Sequence, residues 1–171
     1  MHKTPPPSAP EETIIRLFRE HRTALTRLCY ACLHDASLAD DAVQETYLKA
    51  CRHLHRRRPD ASEKAWLTAI AVNTCRDMRR SAWFRLHDRH VTPDMLPEPT
   101  ANASQEDREV TLAVMNLPGR LRETVLMHYF QGLTTQEIAR TLGISHQAVS
   151  DRLRRARERL RPILERSMHD E

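Results

Sequence analysis

The stretch HDRHVTPDMLPEPTANAS, residues 87–104, constrains this chain most. Pro93, Pro97 and Pro99 each lack a backbone donor and push the preceding residue out of helical space. No apolar period runs through the segment, so it offers no face to pack. On both sides of it, apolar residues recur three and four apart. The chain is therefore expected to form two helical blocks joined by a linker.

Composition decides the type of block. Only 3 of 171 residues are Gly and 5% are aromatic. Ala, Leu, Arg and Glu dominate, and these lose little rotamer freedom in helices. No alternating Val/Ile/Thr-rich run reads as a strand, so the expected class is all-α. Residues 1–11 are Pro-rich and polar and read as a disordered tail. The N-terminal block, 12–84, holds three expected helices. The first carries the stripe Ile14, Leu17, Phe18, His21, Leu25, Leu28 and Cys32. HDAS interrupts it, with Ser37 as the expected N-cap of the second helix. That helix turns Leu38, Ala42, Val43, Tyr47, Cys51 and Leu54 inward. After the basic loop HRRRPDAS, a third helix from Glu63 to Ser81 buries Trp66, Leu67, Ile70, Ala71, Thr74, Cys75 and Met78. The linker spans 85–104. The C-terminal block, 105–166, holds four expected helices: 105–116, Pro118 to about Phe130, 135–142 and 145–164.

The last two helices carry the most specific local signal, GLTTQEIARTLGISHQAVSDRLRRARERLR at 132–161. Thr134 and Glu137 match a capping box. Ile138, Ala139 and Leu142 form the apolar side of a short helix, and Gly143 suits the left-handed residue that stops it. Ile144 plugs the turn and Ser145 caps the next helix, which buries Val149, Leu153, Ala156 and Leu160. Its outer face offers Ser145, His146, Gln147, Ser150, Asp151, Arg154 and Arg155. This is a helix-turn-helix, whose second helix reads base edges while flanking Arg groups hold phosphates.

Two further faces stand out in the N-terminal block. Asp41, Gln44, Glu45, Leu48, Lys49 and Arg52 share one side of the second helix, an acidic-amide patch around an apolar residue that suits a basic helical partner. On the third, Ala69, Asn73, Arg76 and Arg80 share the side away from the core, and Asn can read a base edge where Arg holds phosphate. The net charge of +4 is only mildly basic, so position carries more than the sum.

Other chemistries are not signalled. Cys29-x-x-Cys32, with Cys51 and Cys75 also expected to point inward, reads as buried reduced thiols and not as a metal or redox site. Ten His show no paired ligand spacing. There is no Gly-rich phosphate loop and no nucleophile elbow, so neither an enzyme nor a cofactor is expected. The N-terminus has no apolar signal core and no stretch is long enough to span a bilayer, so no membrane insertion and a cytoplasmic location are expected.

In order and spacing, DDAVQETYLKA at 40–50, AWLTAIAVNTCRDMRR at 65–80 and the helix-turn-helix within 117–160 resemble the sigma-70 superfamily, specifically its group-4 (extracytoplasmic-function, ECF) members. The resemblance implies a region 2-like domain, a flexible linker and a region 4-like domain. It implies core RNA polymerase (the β′ clamp helices and β flap), promoter DNA and an anti-sigma factor as partners. Asp40, Asp41, Gln44, Glu45 and Leu48 would dock on polymerase. Asn73, Arg76 and Arg80, with Arg57 and Arg58 of the preceding loop, would meet the minus-10 element. Ser145 to Arg155 would meet the minus-35 element. The loop carries His55 and several Arg but no Phe or Tyr, so an extruded base would stack on Arg or His. The alternative is a freestanding helix-turn-helix regulator whose N-terminal block is a dimerisation or sensor module.

Overall fold

Helix α1, Ala9–Leu33, buries Ile14, Leu17, Phe18, Leu25, Leu28, Cys29 and Cys32 along one side, the stripe that its apolar spacing dictates, while His21, expected on that stripe, is only half-buried. A computed structural model supplies the coordinates and describes residues 9–80 and 104–167. Residues 1–8 of the expected tail and most of the expected linker lie outside the described residues; residues 9–11, expected in that tail, instead open α1. Every described element is helical, and no strand occurs among them.

His34 ends α1 in a left-handed conformation, φ 57°, with its N–H donating to the Tyr30 carbonyl at 2.7 Å. That reversal leaves Asp35 extended, and its carboxylate accepts from Leu38 N at 2.9 Å. Asp35, not Ser37, is thus the N-cap of α2, Ala36–His53. Ser37 already lies inside the first turn, because the chain turns earlier than HDAS suggested.

The buried side of α2 is Ala39, Ala42, Val43, Thr46 and Ala50. Tyr47 and Cys51, both expected inside, are exposed. In the second half of α2 the inward positions are Thr46 and Ala50, one residue before Tyr47 and Cys51, because small Ala and Thr side chains let α1 and α3 approach α2 closely. Tyr47 instead lies edge-on against Phe18, centroids 5.0 Å apart. A 3-10 turn, Leu54–Arg56, leads to α3, Glu63–Arg80, which buries Leu67, Thr68, Ala71, Val72, Thr74 and Cys75. Trp66, Ile70 and Met78 pack at the edge of the core. Cys29, Cys32 and Cys75 are free buried thiols between α1 and α3. Hydrogen bonding to Cys29 and Cys32, and then burial, push the Cys75 thiol far up, so it stays protonated.

The second block begins at α4, Gln105–Met115, closed by a capping box between Ser104 and Asp107. Pro118 precedes α5, Gly119–Val125. The expected helix to Phe130 continues only as a wide turn, Leu126–Phe130, in which Gln131 N donates to the Leu126 carbonyl at 3.0 Å. Then come α6, Thr135–Leu142, and α7, His146–Ser167. The two blocks meet: their buried residues, Ile14 through Leu160, form one continuous cluster.

Candidate nucleic-acid interface

The start of α6 is built by reciprocal capping. Thr134 Oγ1 accepts from Glu137 N at 3.2 Å, and Thr134 N donates to Glu137 Oε2 at 2.8 Å. Gly143 takes φ 64°, ψ 39°, a conformation that a Cβ would strain, and ends the helix. Ser145 Oγ then accepts from Ala148 N at 3.1 Å. Val149, Leu153, Ala156 and Leu160 hold α7 to the block. What remains outside is a continuous face: Ser145, His146, Gln147, Arg154 and Arg155 are exposed, Ser150 and Asp151 half-buried. Thr135 Oγ1 lies 2.7 Å from His146 Nε2, and Arg154 pairs with Glu158 at 2.6 Å. Polar donors at a free helix N-terminus, flanked by guanidiniums, can read bases and bind phosphate.

The second surface lies on α3 and the loop before it. Asn73 and Arg80 face solvent, Arg80 within 3.7 Å of Asp77. Arg58 is exposed and doubly bonded to Asp60, whereas Arg57 is tied inward, donating to the Ala61 carbonyl at 3.2 Å and lying 3.8 Å from Glu63. Arg76 does not share the open side with Asn73. It turns toward the other block, its Nε 3.9 Å from Glu123 Oε2.

Glu123 is a residue that periodicity does not pick out. It is 3% exposed on α5 and faces Arg76 and Arg79 of α3 and Arg152 of α7. Burial drives its carboxyl pKa up, against the pull of the four nearby guanidiniums, Arg122 included. Desolvation likewise lowers the Arg152 guanidinium, against the attraction of Glu123. Arg122 Nη1 donates to the carbonyls of Met115 and Leu117 at 2.7 and 3.1 Å. The available sequence signal is a charged pair, Arg122-Glu123, set between Leu121 and the apolar run Val125-Leu126-Met127.

On α2, Asp40, Asp41, Gln44 and Leu48 are exposed and Glu45 half-buried. Leu48 is 47% exposed, an apolar side chain standing among acids and amides. Lys49 leaves this patch for α3, donating to Thr74 Oγ1 at 3.1 Å and lying 3.7 Å from Asp77. A mostly apolar groove of about 1050 Å³ runs between the blocks, lined by Leu28, Tyr30 and Ala39 on one side and Val114, Leu126 and Phe130 on the other. Elsewhere, Glu20, His21 and Glu63 bring three potential ligand atoms within 4.8 Å of one another. Arg16 already bridges both of those carboxylates, so the place a cation would take is filled. No described helix is long and apolar enough to cross a membrane.

Known proteins share this arrangement. Residues 17–85 match the family Sigma-70 region 2, and residues 107–160 match Sigma-70, region 4. The chain is 35% identical over 150 residues to the ECF RNA polymerase sigma factor SigM of Mycobacterium tuberculosis, covering 87% of this chain and 76% of that one. It is 34% identical over 164 residues to SigL of the same organism, covering 92% and 93%. Among solved structures, CnrH in complex with the cytosolic domain of CnrY superposes with a TM-score of 0.63 at 27% identity, covering 90% of this chain and 88% of that one.

Proposed function

The chain belongs to the sigma-70 family of RNA polymerase sigma factors, in its ECF group, and from that premise we propose how its surfaces divide the work of starting transcription. The observation that carries the reading is the capped, solvent-facing start of α7, standing in one chain with the region 2 helices. The N-terminal block is then a polymerase-docking and promoter-reading domain, not the dimerisation or sensor module of a freestanding regulator.

Asp40, Asp41, Gln44, Glu45 and Leu48 dock on core polymerase: exposed acids and amides meet basic side chains, and Leu48 supplies apolar contact at the centre. Asn73 reads the minus-10 element, with Arg80, Arg58, Arg57 and, once released from Glu123, Arg76 holding the backbone. Ser145, His146, Gln147, Ser150, Asp151, Arg154 and Arg155 meet the minus-35 element in the major groove. The domains divide as 12–84 and 105–166 with the linker 85–104 between them, and the chain works in the cytoplasm. It makes and breaks no bonds and uses no cofactor; nucleotide chemistry stays with the polymerase. An anti-sigma factor restrains it, and the apolar groove between the blocks is the surface we assign to that regulator.

Reconstitution with core polymerase, followed by run-off transcription on genomic fragments, tests this. Promoter-dependent transcripts that require the chain are expected. No polymerase binding and no such transcript would refute it.

A further inference from the structure

The seam between the two blocks is electrostatic where it meets the DNA-reading helix. Arg76 and Arg79, about one turn apart on α3, each bring a guanidinium nitrogen to 3.9 Å from Glu123 Oε2. On the other oxygen, Arg152 of the same block as Glu123 sits at 3.4 Å. The Arg79 guanidinium also passes directly over Gly119, the first residue of α5: a Cβ there would overlap Nη2 and stand 3.0 Å from Cζ. Two longer-range hydrogen bonds flank the seam. Arg122 Nη2 donates to the Cys32 carbonyl at 3.3 Å, and Gln131 Nε2 donates to the Ala24 carbonyl at 3.4 Å.

Within its own block Glu123 has a partner in Arg152, so the α3 arginines are additional. Their side chains are 29% and 24% exposed, so water and salt compete for both contacts. Keeping Glu123 dry carries a desolvation penalty, and guanidiniums at 3.9 Å offset only part of it. Such a contact contributes little net stability of its own. It can be broken by anything that offers Arg76 a better anion, and a DNA phosphate is one.

We propose that Arg79, seated over Gly119 and against Glu123, is a latch that closes α3 onto the helix-turn-helix block in the free chain and keeps Arg76 turned away from DNA. The functional meaning rests on the reading of α3 as a promoter-facing helix; the closure itself does not. In the closed chain Glu123 occupies the place a phosphate would take beside Arg76. Opening frees Arg76 while Arg152 continues to hold Glu123 inside its own block, so the helix-turn-helix survives the change. Apparent DNA affinity of the free chain is then lowered by the fraction that is closed.

Small-angle scattering of the full chain, wild type beside Arg79→Ala, tests the latch. At low salt the variant is expected to show a larger radius of gyration than wild type, with unchanged helix content. Wild type is expected to expand toward the variant as NaCl rises to about 1 M, where screening acts within a few ångström. Should Arg79→Ala lose helix content, Gly119→Ala makes the same comparison: it removes no charge, raises helix propensity and displaces the guanidinium from its seat. Superimposable profiles for wild type and the folded variant at low and high salt would overturn the latch, whatever transcription shows. Opening as expected in a chain that supports no promoter-dependent transcription would uphold the latch and refute the promoter reading alone.

Discussion

Arg16 on α1 grips Glu63, the first residue of α3, with two hydrogen bonds: Nη2 to Oε1 at 2.8 Å and Nη1 to Oε2 at 3.2 Å. The pair joins positions 47 residues apart, and Arg57 of the intervening loop approaches the same carboxylate at 3.8 Å. One acid thus ties the start of α3 to α1 and to its own loop.

The hydrogen bond from Arg16 holds the Glu63 carboxyl below its ordinary value of 4.5. A depressed folded pKa means that the unfolded chain binds more protons as pH falls, so stability is lost in that direction. The contribution is full above about pH 4.5 and disappears as pH drops through the lowered folded value. Glu63→Gln should cost on the order of 1 kcal/mol at pH 7, as for a well-formed, partly exposed bidentate pair. Urea unfolding at pH 7 and near pH 4 checks it: the gap between wild type and variant should narrow at the lower pH.

Local closure of the helix-turn-helix predicts two independent losses. Thr134→Ala removes the cap of α6 and should cost about 1 kcal/mol. Gly143→Ala forces a Cβ into the left-handed region and should cost about 1 kcal/mol or more. Urea midpoints of the full chain measure both, and binding to a duplex carrying the minus-35 element should weaken in parallel as α7 loses its fixed entry. A neutral Gly143→Ala would mean that this turn does not need its observed φ.

The two functions assigned to the N-terminal block should separate. Asn73→Ala leaves a solvent-facing position and should lower promoter-dependent transcription while polymerase binding stays normal. Replacing Gln44 and Glu45 together by Ala should do the reverse, weakening assembly with core enzyme and, through it, every promoter alike. Size-exclusion co-elution and run-off transcription distinguish the two. Equal loss of both activities in Asn73→Ala would make that residue a structural one.

Thiol chemistry reports the packing directly. Cys51 is exposed, while Cys29, Cys32 and Cys75 are buried. A water-soluble maleimide should modify one thiol in the native chain and all four in denaturant, with peptide mass spectrometry placing the first label on Cys51. Rapid labelling of Cys75 without denaturant would contradict the α1–α3 packing.

The region around residues 134–145 was readable in advance because each of its signals acts within a few residues. A capping box, a left-handed glycine and a capped amphipathic helix need only neighbours in the chain, and all three stand where the spacing placed them. The same holds for the stripes of α1 and α7. Errors of one or two residues arose where spacing underdetermined the position. Asp35 and Ser37 are both good caps, and only the reversal at His34 selects Asp35. Thr46 and Tyr47 are both plausible inward residues, and the closeness of α1 and α3 selects the smaller one.

By itself, then, the sequence determined an all-α chain with a helix-turn-helix and a region 2 to region 4 order, since periodicity, caps and motif spacing are local properties. Only tertiary structure decided that Arg76 faces Glu123 while Asn73 faces water, and that Arg79 lies over Gly119. Those outcomes depend on guanidiniums meeting a carboxylate about 45 residues further along the chain, across a seam that exists only once both blocks are folded. Long flexible side chains choose their partners after the backbone has brought the partners within reach.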